Sequence, residues 1–365
     1  MEAASLRGVA AQIRPRLQAM ASTPKGASRR ATAQDVANLA GVSRSSVSLV
    51  LNGHADGNVS AVKQRLVLEA ARQLDYRPNA LALSLRSQRT WTVGVLTWRG
   101  VAGFPQEILH AGWTGATGAG YLTMLMDTPD GIDPNQEAVR LLLDRQVDGL
   151  VVVAPELTAY AVPEELVDTP LLLINCFDPD GRVTSIVPDE LGAGATAAQL
   201  LVDQGHKRIS LLSDRRATAE STDRITGVRR ALAAAGLSAL ELVSPRASSE
   251  DGFALVRDAL RSAERPTAVV STRERLALGA LLAARADGLD VPNDLSVVSL
   301  DDGEGLTTDL VPAIATIQRP DRAMAEEAVS LMGAEIRAAG EHPPRHLSFV
   351  CPVFLGGSVA GPSAR

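Results

Sequence analysis

The stretch T-A-Q-D-V-A-N-L-A-G-V-S-R-S-S-V-S-L-V-L-N-G, residues 32–53, decides how the rest of the chain is read. Thr32 is a helix N-cap, and Asp35 three residues on completes a capping-box pattern. Val36, Ala37, Leu39 and Ala40 give the first helix an inward face, and Gly41 stands where a tight turn needs positive φ. Ser43 caps a second helix, whose Val47, Val50 and Leu51 face inward at spacings of three and four. Two short helices joined by a Gly-containing turn make a helix-turn-helix, and its second helix is the one that enters a DNA major groove. Arg44, Ser45, Ser46 and Ser48 lie at the exposed start of that helix, where base edges and phosphates are met. The plain alternative is an antiparallel helix pair in an α domain, and the pair alone does not decide between them.

Charge does more to decide. The net charge of -6 over 365 residues hides a split. Residues 1–90 hold 13 Lys+Arg against 5 Asp+Glu, a balance of +8, and the remainder holds 23 against 37, a balance of -14. A basic head on an acidic body fits polyanion binding by the head alone. Cys176 and Cys351 fall in apolar runs and are expected as buried thiols with no disulfide. No apolar run approaches the ~20 residues of a membrane span, and the first thirty residues lack the apolar core of a signal peptide. A cytoplasmic protein without membrane contact is expected.

Around the opening stretch, residues 1–31 carry Arg7, Arg14, Arg16, Lys25, Arg29 and Arg30 against Glu2. They read as a disordered basic arm, which either adds phosphate contacts or reflects a mis-assigned start. Downstream, Ser60 caps a third helix whose Leu66, Ala70 and Leu74 recur every four residues and close a three-helix core. Lys63, Arg65 and Arg72 fall on its outer face, as phosphate contacts or as solvated charge. Pro78 stops that helix. Asn79 can cap a very short helix from Ala80 to about Arg86, with Leu81, Leu83 and Leu85 on several faces. So short a helix is marginal alone in water, so its apolar side chains ask for a partner.

Residues 32–88 resemble the DNA-binding region of the lactose-repressor (LacI/GalR) family of bacterial transcription regulators. The resemblance rests on D-V-A-x-x-A-G-V-S-x-x-S-V-S-x-V-L-N-G followed by Y-R-P-N-A-L-A at fixed spacing. It implies a recognition helix at 44–52 and a hinge helix at 79–86, with Leu85 matching the hinge Leu that wedges into the minor groove. The DNA-binding set is then Thr32, Arg44, Ser45, Ser46, Ser48, Leu49, Asn52, Asn79, Ala82 and Leu85. Leu49 and Leu83 depart from the family pattern, where well-known members or relatives carry Arg. These departures bear on the operator sequence and leave DNA binding itself intact.

From Thr90 onward, T-V-G-V-L, D-G-L-V-V-V-A, P-L-L-L-I-N, R-I-S-L-L-S-D, T-A-V-V-S and L-S-V-V-S-L-D-D are continuous apolar runs separated by Ala- and Leu-rich helical stretches. Y-L-T-M-L-M-D and L-E-L-V-S belong to the same series. This is the mark of parallel strands covered on both faces, in two doubly wound α/β lobes. The resemblance continues here and implies a periplasmic-binding-protein-like core at 90–360 in which the chain crosses between lobes three times. The crossings are expected near Pro188, Pro312 and Glu341. That gives an N-lobe of 90–188 plus 313–340 and a C-lobe of 189–312 plus 341–360, after a headpiece at 32–78 and a linker at 79–89. The fold class is thus a small all-α helix-turn-helix headpiece on an α/β periplasmic-binding-protein-like core.

Ligands of open α/β sheets bind beyond the carboxyl ends of strands, which in a two-lobed body means the cleft. Trp98, Asn175, Asp178, Asp189, Arg224, Arg273, Glu274 and Asp301 stand there. By the resemblance, Arg224 of R-I-T-G, Asp301 after the late strand and Asn175 after P-L-L-L-I bind sugar hydroxyls, a chemistry that suits Arg, Asp and Asn. Trp98 or Phe104 offers a stacking face. Where relatives read N-D-x-x-A-L-G, this chain reads R-E-R-L-A-L-G. Arg273 then points to an anionic ligand, or else turns outward or pairs with Glu274. For each cleft residue the alternative is a strand-end cap or an interlobe salt bridge.

The glycines 112, 115, 118 and 120 and the run G-A-G-A-T at 192–196 lack the context of a phosphate loop and read as small residues for helix packing. Asp301-Asp302 has no His or further carboxylate at metal-ligand spacing, and no Ser/His/Asp or Cys/His arrangement supports catalysis. The expectation is a non-enzymatic repressor with no cofactor. It binds a pseudo-palindromic DNA operator as a homodimer and is controlled by a sugar or sugar derivative between the lobes. A solute-binding protein of the same core fold is the alternative.

Overall fold

A computed structural model of the chain describes residues 31–77, 84, 87–98, 106–128, 136–166, 169–303, 305–338 and 342–363. Residues 1–30 of the expected arm, the hinge residues Asn79, Ala82 and Leu85, and Phe104 lie outside them. The chain divides into two compact units, 1–88 and 89–365.

In the first unit, three helices pack on a small apolar core: α1 (Ala33–Ala40), α2 (Arg44–Leu51) and α3 (Ala61–Gln73). The capping box is reciprocal, with Thr32 N donating to Asp35 Oδ2 at 2.8 Å and Asp35 N to Thr32 Oγ1 at 3.3 Å. Gly41 adopts φ 64°, as the turn requires. Val36, Ala37, Ala40, Val47, Val67, Ala70 and Ala71 form the core, with Val50 and Leu51 packed against it. Two expectations fail. Leu39 is 52% exposed and Leu66 is 50% exposed. The eight-residue α1 and the small α3 need only one narrow stripe each, and Val36/Ala40 and Val67/Ala71 fill it at a spacing of four. Ser60 occupies the N-cap of α3, yet its side chain makes no capping hydrogen bond.

The second unit is built from two six-stranded sheets. The first contains β1 (Thr92–Trp98), β2 (Leu122–Thr128), β3 (Gly149–Ala159), β4 (Leu171–Phe177), β5 (Thr184–Pro188) and β11 (His346–Phe349). Their order is β11-β5-β4-β3-β1-β2, all parallel. The second contains β6 (Ile209–Asp214), β7 (Ala239–Ser244), β8 (Ala268–Ser271), β9 (Ser296–Ser299), β10 (Ala315–Ile317) and β12 (Val353–Phe354). Its order is β12-β10-β9-β8-β6-β7, with β12 antiparallel to β10. Central strands such as β4, β6 and β8 are buried throughout except at strand ends, as their apolar runs require. The edge strands β2 and β7 expose Leu122, Leu125, Leu240 and Val243.

Helices cover the sheets: α4 (Gln106–Gly118), α5 (Gln136–Asp144) and α10 (Asp321–Ala338) on the first, and α6 (Glu190–Asp203), α7 (Ala219–Ala234), α8 (Ser249–Leu260) and α9 (Glu274–Ala286) on the second. The small residues serve packing. A Cβ on Gly115 would lie 3.0 Å from Val329 of α10, and a Cβ on Gly194 would collide with the Arg224 carbonyl of α7.

The first crossing lies between Pro188 and α6. The other two are displaced. β10, at 315–317, pairs with β9 of the second sheet, so the chain leaves that lobe at 318–320, after Pro312. β11, at 346–349, pairs with β5 of the first sheet, so the last crossing is at 350–352, after Glu341. Burial explains the shift: Ala315 and Ile317 belong to the second lobe's core, and Leu347 and Phe349 pack against the first lobe's core. Backbone bonds tie the crossings together, from Asp189 N to Phe349 O and from Gln318 N to Pro352 O, both 2.8 Å. Cys176 and Cys351 are free and buried, and burial pushes the Cys351 thiol up to about 12. No described helix is long and apolar enough to cross a membrane.

Candidate nucleic-acid interface and interlobe cleft

The start of α2 is a cluster of hydroxyls. Ser43 caps it, accepting from Ser46 N at 3.1 Å and sharing hydrogen bonds with Ser45 Oγ at 2.8 Å and Ser46 Oγ at 2.9 Å. Val47 is fully buried and fixes the rotation of the helix. That rotation leaves Arg44 and Ser45 exposed and Ser46, Ser48, Leu49 and Asn52 half-buried. Asn52 donates to Ser48 Oγ at 3.1 Å, which orients both side chains. Leu49 is outside the core that Val50 and Leu51 join, so it stays with the polar face. Thr32 is exposed at the start of α1. Among the described residues, Arg44, Lys63 and Arg65 make no ion pair, whereas Arg72 is tied to Glu69 at 2.8 Å. An exposed helix N-terminus carrying hydroxyls and an unpaired Arg matches what phosphates and base edges require.

The cleft residues behave differently. Arg224 is fully buried on α7 and satisfied on every side. It donates to Glu190 Oε2 at 2.6 Å, to Glu190 Oε1 at 3.0 Å and to the Thr272 carbonyl at 3.1 Å, and it pairs with Glu220 at 3.0 Å. Burial opposes its charge, and the two carboxylates outweigh that and raise its basicity. Glu220 is held at about 2 against the cost of burial by Arg224, Arg273 and the Leu157 N–H, so Glu190 bears the unmet burial cost and rises to about 7.

Arg273 faces neither outward nor toward Glu274. Its Nε reaches Asp214 at 3.0 Å, Nη1 reaches Glu220 at 2.7 Å, and Nη2 reaches Glu156 at 3.3 Å and Ser221 Oγ at 3.2 Å. Glu156 lies on β3 of the first lobe, so Arg273 bridges the cleft. Arg216 makes a parallel bridge to the same Glu156 at 3.3 Å, and Leu157 N donates to Glu220 at 3.2 Å.

The remaining expected residues spread out. Asp189 caps α6, accepting from Gly192 N at 2.8 Å. Glu274 accepts from Thr307 N at 2.9 Å. Asp178 accepts from Arg182 N at 2.8 Å and so closes a loop. Trp98 stacks on Tyr160, with centroids 6.2 Å apart. Asn175 adopts φ 56°, a left-handed conformation that Asn tolerates. It donates to Ala154 O at 3.0 Å, while its buried Oδ1 has no partner among the described residues. Asp301 is half-buried and accepts from Gly303 N at 3.3 Å.

Beside this network lies a polar cavity of about 780 Å³, lined by the crossing residues Gln318, Arg319 and Pro352, by Asp302 and Arg275 of the second lobe, and by the first turns of α4 and α10. Burial and neighbouring Asp301 push Asp302 up to about 6. Arg319 is paired with Asp321 at 3.0 Å. Sequence reasoning missed Glu156, Asp214, Glu220, Asp302 and Gln318. Asp214 and Asp302 had a signal, since each directly ends or follows an apolar strand. Glu220 had a second one, lying four residues before Arg224 on one helix face.

Residues 32–79 match the model of bacterial regulatory proteins of the lacI family, and residues 178–359 match that of the periplasmic binding protein-like domain. The HTH-type transcriptional repressor PurR of Vibrio campbellii is 32% identical over 319 residues, which span 86% of this chain and 94% of that relative. Among solved structures, the lac repressor dimer bound to operator and the anti-inducer ONPF aligns with a TM-score of 0.74 at 24% identity, covering 91% of this chain and 100% of the other. The transcriptional regulator CelR in complex with cellobiose aligns with a TM-score of 0.60 at 24% identity, covering 90% of this chain and 100% of the other.

Proposed function

Because the chain belongs to the lacI family of bacterial regulatory proteins, we propose that it represses transcription as a homodimer on a pseudo-palindromic operator, released or engaged by a sugar-like effector between the lobes. As a member of that family it is a DNA-binding transcription regulator. The observation that carries the reading is α2: a buried Val47 below, and above it a hydroxyl cluster and an exposed Arg44 that makes no ion pair among the described residues. Arg44 and the start of α2 supply phosphate anchoring. Ser45, Ser48 and Asn52 read base edges, and Leu49 offers an apolar contact to a thymine methyl. Asn79, Ala82 and Leu85 are assigned to the minor groove between half-sites.

For the effector, the polar cavity at the crossings has the size of a small-molecule site. Gln318 and Asp302 present amide and carboxylate groups to hydroxyls there, and the first turns of α4 and α10 add partial positive charge. Arg224, Asp189 and Glu274 serve as supports for this site, because their hydrogen bonds are already committed within the fold. A ligand that changes the angle between lobes changes operator affinity, and operator binding changes ligand affinity by the same factor. A typical coupling of ~1–3 kcal/mol gives roughly 5–150-fold.

Selection from a pool of random duplexes with the full chain tests the DNA reading: a two-fold-related pair of half-sites is expected, and no enrichment over the starting pool refutes it. A thermal-shift panel of neutral sugars, sugar phosphates and purines tests the effector class, since a native-state ligand raises the melting temperature. A neutral sugar is the expected hit.

A further inference from the structure

The cleft between the lobes contains a cradle of carboxylates that already has an occupant. Glu156 comes from β3 of the first lobe, Asp214 from the end of β6 and Glu220 from α7 of the second. All three point their oxygens at one guanidinium, that of Arg273, at 3.3, 3.0 and 2.7 Å, with Ser221 Oγ as a fourth acceptor at 3.2 Å. The Arg273 side chain is 11% exposed, and those of Asp214 and Glu220 are 2% exposed. Displacing the guanidinium leaves three nearly buried carboxylates with less countercharge, which is costly unless another cation takes its place. A hydroxyl-bearing neutral molecule supplies no charge and has no means of competing.

We propose that Arg273 is a specificity-determining residue, a resident guanidinium that fills the centre of the cleft, holds the lobes together through Glu156, and confines the effector to the cavity beside the crossings. This rests on the reading of the cleft as the effector site and deepens it. The planar fork matters as much as the charge: Nε and both terminal nitrogens are each used, which a Lys ammonium does not reproduce. Glu156 is the first-lobe anchor for both Arg273 and Arg216, so one carboxylate carries these two ion pairs.

The test uses the full chain without DNA or effector, so its outcome is independent of whether the cavity takes a sugar. Arg273→Ala should lower the melting temperature by about 10 °C. Millimolar ethylguanidinium should recover at least half of that loss, saturably, while its neutral counterpart ethylurea and matched sodium chloride recover none. The wild-type chain should show no response to ethylguanidinium at the same concentrations. Arg273→Lys should keep part of the stability and gain no rescue. Glu156→Gln leaves Arg273 paired with Asp214 and Glu220, so it should fold. It should increase the radius of gyration in small-angle scattering, because the Arg216 and Arg273 bridges both lose their ionic partner on the first lobe. Failure of ethylguanidinium to rescue Arg273→Ala, or equal rescue by ethylurea, would overturn the occupancy. An unchanged radius of gyration in Glu156→Gln would overturn the bridging, and it remains decisive if Arg273→Ala does not fold.

Discussion

The exposed face of α2 and the walls of the interlobe cleft are both made of polar side chains at helix starts and strand ends, and they use those groups in opposite ways. On α2, the hydroxyls bond to each other while Arg44 has no ionic partner among the described residues. In the cleft, Arg224 and Arg273 are surrounded by carboxylates. A charge exposed to water costs little to leave unpaired, so it can be kept for a partner outside the chain. A charge withdrawn from water must be matched inside the fold. The same residue type, arginine, is therefore left available to an outside partner in one region and built into the fold in the other, and burial decides which.

The largest effect expected from this contrast is in the cleft. Arg224→Ala removes both bonds that Arg224 makes to Glu190 and one of the two arginines on Glu220, and should cost the core about 3–5 kcal/mol, read as an earlier core transition in urea. A loss below about 1 kcal/mol would place Arg224 in the class of exposed charges and break the comparison. Next, Gly194→Val forces α6 away from α7, at about 1–3 kcal/mol, and should disturb the Arg224 cluster while leaving the headpiece transition unmoved.

Acidity sharpens the contrast further. Glu190 titrates near 7 when folded, against an ordinary value of 4.5. Its contribution to stability is therefore fully present below about 4.5 and is lost as pH rises through about 7. The core should resist urea less well at pH 8 than at pH 6, by on the order of 1 kcal/mol, and Glu190→Gln should flatten that slope. The smallest stability effect belongs to the headpiece: Thr32→Ala removes half of the capping box and should cost ~1 kcal/mol, confined to the headpiece melt.

How much was readable beforehand follows the same physical line. Local rules found the capping box at Thr32–Asp35, the left-handed Gly41 and every long apolar strand, because each signal sits within a few consecutive residues. The short strands β5, β10, β11 and β12 were not resolved as strands, since runs such as A-T-I or V-F are too brief to carry a period. Their lobe membership comes from pairing with distant strands, which moved the second and third crossings. Leu39 and Leu66 were misassigned because leucine outranks alanine in apolar character, whereas the tight headpiece core selects Val36, Ala40, Val67 and Ala71 for size. In the cleft, Arg273 and Asp301 were singled out by their position after strands, and Arg224 by the resemblance of R-I-T-G, although it lies within α7. The partners of Arg273 were hidden, because Glu156 lies 117 residues away and only the fold brings it there.

The contrast is tested most directly by operator affinity in the full chain carrying Arg44→Ala and Ser45→Ala together, measured by fluorescence anisotropy on the selected duplex at two salt concentrations. Both side chains are exposed, so the melting curve should not move. Affinity should fall at least about tenfold and the salt slope should shrink by about one. Undiminished affinity with an unchanged salt slope would contradict the assignment of α2 as the DNA-reading element.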